Sequence, residues 1–408
     1  MSELRALFDH ATDGIENPRL EQVALCTAQR RRTRRRGAAA AAVASTLVLA
    51  VAVVVGSQTG GVRSDSTLPA GPPGLTPPPP SATSMPSAPA LAPAPTWDPR
   101  DVDDLPAAAA QVVAALPEVI DPPPSSPLLA DDPVGSAIVA VEERGTAQVL
   151  GTDGAWRTVP LDGRYPRIAL SPGGTRLAVY YYVDTEDPDH TYAVTVHDLA
   201  TGGSTVLQPP SGFVPWDDTG WSFLDEDLLL LNSGQASYAV PLATGAAEPR
   251  PYRAGLSRTV DPDGDVLVSP DWSERNVLLD YAGATPREVS MEQTGRLARI
   301  VADDDTVVGT SYENGPFAVY VADRATLTPQ ASLPILDPEA NYSNWGLGPQ
   351  ALLDDGTVLL RVAALGGGRA TGFRLVLWDP ADGALSVVSS TDLPVEALVV
   401  FASGLLRS

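Results

Sequence analysis

The chain has 408 residues with 35 glycines, 40 prolines and one cysteine, and its formal net charge is −23 at pH 7. This length has room for one large all-β domain or for two or more ordinary domains with extensions, and the glycine and proline content argues against a helical bundle. The single cysteine, Cys26, excludes an intramolecular disulfide framework and a zinc site built on paired cysteines.

Charge is distributed unevenly along the chain. Residues 1–36 hold eight arginines and five acidic residues, a net charge of +3, so the remaining residues carry −26. An acidic body of this kind repels phosphates instead of displacing their counterions. We therefore exclude nucleic acid as a partner of the C-terminal part.

The first 36 residues predict a short helical segment on the cytoplasmic side of a membrane. Apolar residues from Leu4 to Ala11 recur at helical spacing, and Asn17 followed by Pro18 begins a second helical pattern. An apolar stripe with nothing of its own to pack against suits the docking of a cytoplasmic protein partner. The alternative is a segment that lies on anionic lipid.

Residues 37–56 read GAAAAAVASTLVLAVAVVVG and directly follow the arginine block RRRTRRR. Twenty uncharged residues in a helix cross about 30 Å of hydrocarbon, and an arginine block stays on the cytoplasmic side. We therefore predict one transmembrane helix in the cell membrane, with the C-terminal part extracytoplasmic. The alternative is a cleaved signal peptide, which the long preceding region and the lack of an Ala-x-Ala site disfavour.

Residues 57–104 are predicted to form a proline-rich linker. Their stretch from residue 68 to 99 is too rich in proline and too poor in large apolar residues to fold, and as polyproline II it reaches on the order of 100 Å. The alternative is a ligand for a proline-recognition domain. Next, Leu105–Val119 predicts a short helix that opens at Pro106 and closes before Pro117, within a lead-in over residues 105–133.

This layout resembles that of membrane-anchored anti-sigma factors, which have a short inner helical domain, one span and an outer sensor. The resemblance implies a regulator that relays outer binding to a cytoplasmic partner at residues 1–36. His10 and Cys26 are too far apart for the His-x-x-x-Cys-x-x-Cys zinc motif of many such proteins, so the zinc-containing version is excluded.

A repeat of a turn followed by a β-rich run extends through residues 134–408. The turns are 53, 37, 41 and 51 residues apart, which brackets the period of about 40 to 50 residues expected of propeller blades. They begin at Pro172, Asp225, Pro262, Asp303 and Asp354.

A second hairpin follows several of these turns, and Gly202, Gly245 and Gly383 are predicted to take positive φ in it. Each unit is thus four strands, whose faces are buried when neighbouring units pack radially. Five units lie within residues 164–390. Two strands before them and a pair of strands after them close the ring, which gives six blades, with five or seven as alternatives.

These repeats are similar to the WD40-like and TolB-like β-propeller repeats, whose pattern includes Ser-Pro-Asp-Gly and Asp-Leu-x-Thr-Gly. The sequences LSPGGTRLAV and HDLATGG match best, and DPDGDVLV and DPADG match in part. The resemblance implies an all-β, six-bladed β-propeller over residues 134–408. It implies no particular activity, because propellers include enzymes, binding modules and scaffolds.

Catalytic residues are not assigned. After the predicted span the chain has only His190 and His197 as histidines, and it has no Gly-x-Ser-x-Gly elbow and no clear sialidase box. We interpret His197 as structural and His190 as a solvated loop residue. Because carboxylates are abundant, an exported glycan- or peptide-processing enzyme stays as an alternative.

Metal and cofactor sites are not predicted either. The oxygens of the acidic stretches 261–265 and 302–305 suit Ca²⁺, but both stretches fall at repeat turns, where aspartate suits the backbone. Several tryptophans are predicted to fill gaps between blades or to line one face of the ring; these are Trp216, Trp221, Trp272, Trp345 and Trp378.

The predicted function is that of a single-pass membrane protein that displays its propeller as a non-catalytic binding or sensing module. Its outer partner is an extracytoplasmic protein or a cell-wall ligand whose identity the sequence does not specify.

Overall fold

The structure is a computed structural model, and it describes most of the chain after residue 94. The described ranges are 95–108, 116–143, 145–161, 164–183, 191–210, 213, 221–233, 236–252, 255–270, 276–283, 285–311, 317–337, 346–366, 369–394 and 397–407. The predicted cytoplasmic segment, the predicted transmembrane helix at 37–56 and the linker up to residue 94 lie outside these ranges. Within them, no helix combines the length and the apolar composition that crossing a bilayer requires.

The described strands form six antiparallel sheets of four strands, as the repeats predict. Blade 2 contains β4 (Arg164–Leu170), β5 (Arg176–Val183), β6 (Thr191–Asp198) and β7 (Ser204–Leu207). Blade 3 contains β8 (Trp221–Phe223), β9 (Leu228–Asn232), β10 (Ser237–Pro241) and β11 (Glu248–Arg250). Blade 4 contains β12 (Gly255–Val260), β13 (Val266–Pro270), β14 (Val277–Asp280) and β15 (Arg287–Ser290).

The next two blades follow in the same order along the chain. Blade 5 contains β16 (Ala298–Ala302), β17 (Thr306–Ser311), β18 (Ala318–Asp323) and β19 (Pro329–Pro334). Blade 6 contains β20 (Leu347–Leu352), β21 (Val358–Gly366), β22 (Arg369–Trp378) and β23 (Leu385–Thr391). In blades 2 to 6 the strand that comes first in the chain is innermost, and inner strands of neighbouring blades, such as β4 with β8 and β12 with β16, contact each other around a central channel.

Blade 1 joins the two ends of the domain and closes the ring. Its strands are β1 (Ala137–Glu143), β2 (Thr146–Gly151), β3 (Trp156–Pro160) and, innermost, β24 (Leu398–Phe401). Closure through a shared sheet is confirmed, but the predicted split of two strands from each end is wrong. Three strands come from the N-terminal side and one from the C-terminal side, because the last residues form helix α1 (Ser403–Arg407), which buries Leu406.

Each seam between neighbouring blades is filled by one apolar cluster. Between blades 2 and 3, for example, Leu229 and Leu231 of β9 pack in one cluster with Ala178 and Tyr180 of β5. Both faces of each blade are covered, so central strands read as nearly continuous apolar runs. Trp378 is one of the predicted gap-filling tryptophans, and it is 1% exposed in the seam between blades 5 and 6.

The predicted turns lie where the repeats place them, between the first and second strands of blades 2 to 6. Gly174 has a φ of 70°, and a Cβ there would lie 2.1 Å from the carbonyl oxygen of Ala137 in blade 1, so only glycine fits. The hairpin glycines of three blades also take positive φ, as predicted; these are Gly202, Gly245 and Gly383. Both kinds of turn lie on one face of the ring, which we call the turn face.

The described residues before β1 lie along the outer rim of the ring, and we call those within 95–134 the belt. It makes four isolated parallel bridges, to the ends of blades 5, 6 and 1 in that order. The bridged pairs are Trp97 with Ile335, Ala107 with Val387, Val119 with Ser390, and Leu128 with Thr158. Main-chain hydrogen bonds of 2.8–2.9 Å accompany each bridge.

The belt corrects two sequence predictions. The linker was predicted to extend to residue 104, but Trp97 is bridged to the propeller, and a 3-10 helix at Pro99–Asp104 buries Val102 against it. The helix predicted over Leu105–Val119 is absent from its described ends, because main-chain groups there bond to β23 instead of to each other. Residues 109–115 lie outside the described ranges.

Candidate functional site

The central channel has one mouth at the turn face, and helix α1 crosses it. The N–H of Gly404 donates to the carbonyl oxygen of Pro172 in blade 2 at 2.9 Å. At the other end of the helix, the Nη2 of Arg407 donates to the carbonyl oxygen of Ala302 in blade 5 at 3.1 Å. Blades 2 and 5 lie on opposite sides of a six-membered ring, so the helix spans the mouth from one side to the other.

The turns around this mouth are acidic. Burial lowers the pKa of Arg407, and the carboxylates of Asp303, Asp261, Asp354 and Asp304 act in the opposite direction. The C-terminal helix therefore places one cation among carboxylates that come from three blades. The turn carboxylates are those of Asp225, Glu226, Asp227, Asp261, Asp263, Asp265, Asp303, Asp304, Asp305, Asp354 and Asp355.

Many of these carboxylates shape their own turns. The Oδ1 of Asp225 accepts from the N–H of Asp227 at 2.8 Å, and the Oδ1 of Asp303 accepts from the N–H of Thr306 at 2.7 Å. The Oδ1 of Asp355 accepts from both the N–H and the hydroxyl of Thr357. The hydrogen bond of Asp303 is the structural use of aspartate that the sequence predicts for the stretch 302–305.

Glu226 links blade 3 to the turn of blade 2. Its carboxylate accepts from the Ser171 hydroxyl at 2.7 Å, from the N–H of Gly173 and from the hydroxyl of Thr175. Burial raises the pKa of Glu226, but the hydrogen bonds outweigh it and hold the pKa below its ordinary value. A Cβ on Gly173 would lie 2.8 Å from the Oε1 of Glu226, so another residue there would displace this carboxylate.

Arg324 links blade 5 to blade 4 through a buried ion-pair network. Its Nη1 donates to the Oδ2 of Asp261 at 2.6 Å, and its Nη2 donates to the Oδ1 of Asp280 at 3.1 Å. The side chains of Arg324, Asp261 and Asp280 are 5%, 0% and 1% exposed. Burial raises the pKa of Asp280, but hydrogen bonds from Arg324 and Arg287 outweigh it and lower the pKa.

Sequence reasoning did not single out Arg324, although a signal for it exists. Within the repeat, Asp323 to Leu327 aligns with Asp198 to Gly202, and the position of Arg324 corresponds to Leu199, which is fully buried. A charged residue at a buried apolar position of a repeat requires paired charges nearby. Comparing repeats position by position identifies such a residue without a structure.

The remaining predicted residues are dispersed. His197 lies within β6, opposite Leu177 and Ser204, and is half-buried. Trp221 begins β8, whereas His190, Trp216, Trp272 and Trp345 lie outside the described ranges. Among the residues that the structure describes, no three histidine, cysteine or acidic side chains are arranged to hold a metal ion.

Comparisons with known proteins give only distant similarities. No protein-family model and no curated protein matches the chain. Among solved structures it is similar to TolB from Acinetobacter baumannii, with 17% identity over 64% of this chain and 67% of that chain and a TM-score of 0.44. The β-propeller domain of the Trilobed protease from Pyrococcus furiosus has 15% identity over 60% and 74% of the two chains and a TM-score of 0.39.

A third solved structure is the acylaminoacyl peptidase from Pyrococcus horikoshii, with 12% identity over 72% of this chain and 47% of the peptidase and a TM-score of 0.39. The match therefore spans about half of that peptidase's length. The described part of the chain is an all-β, six-bladed β-propeller by its own sheet topology.

Proposed function

We propose that this chain is a single-pass membrane protein whose propeller acts outside the cell as a non-catalytic binding or sensing module. The anchor rests on the uncharged residues 37–56 and on the arginine block before them. The outer partner is an extracytoplasmic protein or a cell-wall ligand.

The observation that carries the non-catalytic role is the use of the carboxylates. Acid and base catalysis needs carboxyl groups that face a substrate, with pKa values tuned to proton transfer. In the described propeller, Glu226, Asp261 and Asp280 instead face groups of a neighbouring blade. Hydrogen bonds from those groups hold the three carboxylates in place. We therefore assign these three carboxylates a structural role, which is to link neighbouring blades.

The belt supports the proposed display on a membrane. A mechanical force applied to the chain at residue 95 acts first on the β-bridges between the belt and blades 5, 6 and 1. It reaches strand β1 only after those bridges have broken. Load from a tether is thereby shared over main-chain hydrogen bonds along the rim. A binding module held at the end of a long linker benefits from such an attachment.

The single cysteine gives a direct test of the proposed topology. Cys26 precedes the predicted span, and Ala381 lies in an exposed turn of blade 6. In cells that carry Ala381→Cys in a Cys26→Ser background, we expect a membrane-impermeant maleimide to label the intact cells. The wild-type chain is the matched control and should be labelled only after lysis. Labelling of Cys26 on intact cells contradicts the topology.

The non-catalytic role is tested by incubating the purified full-length chain with peptide and glycan substrates. We expect no turnover. Turnover by the wild type that Glu226→Gln or another acidic-residue substitution abolishes, in a folded variant, contradicts the proposal and favours the exported enzyme.

A second candidate function is regulation of a cytoplasmic partner, as in anti-sigma factors. The apolar stripe from Leu4 to Ala11 and the following arginine block favour it. We expect the full-length chain to retain a sigma factor or another soluble protein from the cytoplasm, and Leu7→Asp to abolish that retention. If the wild type retains no such protein, the relay is excluded and the binding module remains.

A further inference from the structure

Arg299 adopts a conformation that is costly for a residue with a side chain. Its φ is 49°, and among the described residues only one other non-glycine residue, Leu327, has a positive φ. Arg299 lies in β16 where the register against β17 shifts between Ala298 and Val301, so it sits on a β-bulge. Strain of this kind persists where the surrounding structure requires it, and it is concentrated at functional sites.

The bulge directs Arg299 across the innermost strand of blade 6. Its Nη1 donates to the carbonyl oxygen of Leu347 at 2.5 Å, and its Cδ lies 2.6 Å from the point that a Cβ on Gly348 would occupy. Any other residue at 348 would collide with the stem of Arg299. Gly348 therefore provides the passage through which this guanidinium reaches blade 6.

A second guanidinium is on the same face of blade 6. Gly348 pairs directly with Arg361 of β21, and directly paired residues of an antiparallel sheet point to the same side. The guanidinium carbon of Arg361 lies 4.3 Å from the centre of the Phe373 ring. Burial lowers the pKa of Arg361 to about 10, and the charge of Arg299 lowers it as well.

Arg361 differs in its surroundings from Arg324, a buried arginine of blade 5. Arg324 is given two buried carboxylates as partners. Among the residues that the structure describes, Arg361 contacts a ring and no carboxylate, although the chain has 50 acidic residues. The positive charge of Arg299 therefore repels that of Arg361, which has no anion of its own among the described residues. An anion bound between the two guanidinium groups would remove this repulsion.

We propose that Arg299 and Arg361 form a binding site for an oxyanion, a carboxylate or a phosphate group, on the face of blade 6 that carries Gly348 and Phe373. Guanidinium groups bind both oxyanions through paired N–H donors, and the Phe373 ring holds the plane of Arg361. The biological role of this site rests on the proposed function. The site adds to that function the chemical class of the ligand. Anion binding by the purified chain does not depend on the membrane anchor, so the two ideas fail separately.

The test measures thermal unfolding of the full-length chain with sodium phosphate and, separately, with sodium acetate. Sodium chloride at matched ionic strength is the reference. We expect a saturable rise in Tm of about 3 °C with at least one oxyanion, which chloride does not reproduce. The anion that gives the larger rise identifies the chemistry of the ligand group.

Substitutions test whether the rise in Tm with the oxyanion depends on the two arginines. Arg361→Met keeps the length of the side chain and removes its charge, and we expect it to weaken the response to the oxyanion about tenfold. Arg374→Met is the matched control on the neighbouring strand, because Arg374 already pairs with Asp103 and Asp392, and it should respond as the wild type does. The absence of any saturable response, or an equal response in Arg361→Met, overturns the proposal.

A second variant keeps the proposal testable if Arg361→Met does not fold. Arg299→Gly removes the other guanidinium and relieves the positive φ, so we expect a higher Tm without the oxyanion and a weaker response to it. Circular dichroism checks that the sheet content is retained. An unchanged response to the oxyanion in this folded variant overturns the proposal.

Discussion

The propeller has two halves that protect their outer edges differently. Blades 5, 6 and 1 carry the belt, and their outermost strands β19, β23 and β3 have 6, 7 and 5 residues. In blades 2, 3 and 4 the outermost strands β7, β11 and β15 have 4, 3 and 4 residues. Long outer strands occur where another segment covers them, and short ones occur where no belt residue bridges them.

The difference follows from the cost of an open strand edge. A long, flat edge with free N–H and C=O groups pairs with other chains, and proteins avoid this by covering the edge, shortening it or charging it. The belt covers one half of the rim. The other half uses short strands with charged residues such as Glu248, Arg250 and Glu288.

The blades without the belt also form side-chain links, one between blades 2 and 3 and one from blade 4 to blade 5. Glu226 joins blade 3 to blade 2, and Arg324 joins blade 5 to blade 4. In these places, charged hydrogen bonds near the turn face do what the belt does at the rim, which is to tie successive blades together. Main-chain bridges therefore run along blades 5, 6 and 1, whereas side-chain links with carboxylates join blade 2 to blade 3 and blade 4 to blade 5.

The largest effect is expected from breaking the link between blades 4 and 5. Arg324→Met leaves the carboxylates of Asp261 and Asp280 buried without their shared cation, and we expect it to lower the free energy of unfolding by about 3–5 kcal/mol. Denaturant unfolding of the full-length chain at pH 7 measures this.

The control for that variant is Arg374→Met, whose carboxylate partners Asp103 and Asp392 are 65% and 86% exposed. It should change the free energy of unfolding by about 1 kcal/mol or less. If Arg324→Met costs no more than this control, the side-chain link does not hold blades 4 and 5 together.

The belt is tested at Ile120, which is 1% exposed against blades 6 and 1. We expect Ile120→Ala to lower the free energy of unfolding by about 2–4 kcal/mol and to speed hydrogen exchange at the amide of Ser390, which bonds to the belt. Val119 is the adjacent residue and 57% exposed, so Val119→Ala should change neither quantity appreciably. Equal effects of the two variants would show that the belt is not packed at Ile120.

A smaller, pH-dependent effect is expected at the link between blades 2 and 3. Glu226→Gln should cost about 1–2 kcal/mol at pH 7, because the charged acceptor is lost. The folded state lowers the pKa of Glu226, so its stabilisation is present above the ordinary carboxyl pKa and is lost as the pH falls through the lowered value. The difference between wild type and variant should therefore shrink in acid.

Denaturant unfolding between pH 7 and pH 3 measures this dependence. Asp225→Asn is the matched control in the same turn, because the Oδ1 of Asp225 accepts only within its own turn. A difference between wild type and Glu226→Gln that stays constant over this range argues against an ionised link.

The smallest effect is expected on the rim without the belt. Val206 of β7 is 56% exposed, and Val206→Thr keeps the β-branched shape that a strand favours. We expect a change of about 0.5 kcal/mol or less in the free energy of unfolding. A larger loss in the same unfolding experiment would mean that this edge is covered in the protein and would end the contrast between the two halves.

The sequence predicts the ring well because its signals are local and repeated. Gly202, Gly245 and Gly383 mark hairpins whatever the neighbouring blade is, and the spacing of the turns gives the number of blades. The belt could not be predicted in this way. Its bridges join single residue pairs far apart in the chain, such as Trp97 and Ile335, and leave no periodic pattern.

The candidate sites differ in the same respect. Arg324 departs from an apolar position of the repeat, so aligning the repeats can identify it. Aligning the repeats does not identify Arg299 and Arg361, because their proximity depends on the bulge at Arg299 and on the space at Gly348. A backbone bend and a missing Cβ in another blade become visible only in three dimensions.

The closure of blade 1 by β24 has a consequence for synthesis. Residues 398–401 leave the ribosome after every other strand of the ring, and until they do so blade 1 has no innermost strand and the seam with blade 6 lacks Val399. The ring is thus completed only after β24 has been synthesised. A prematurely terminated chain exposes an open sheet edge and an apolar surface, which are the features that proteases and chaperones recognise in unfinished proteins.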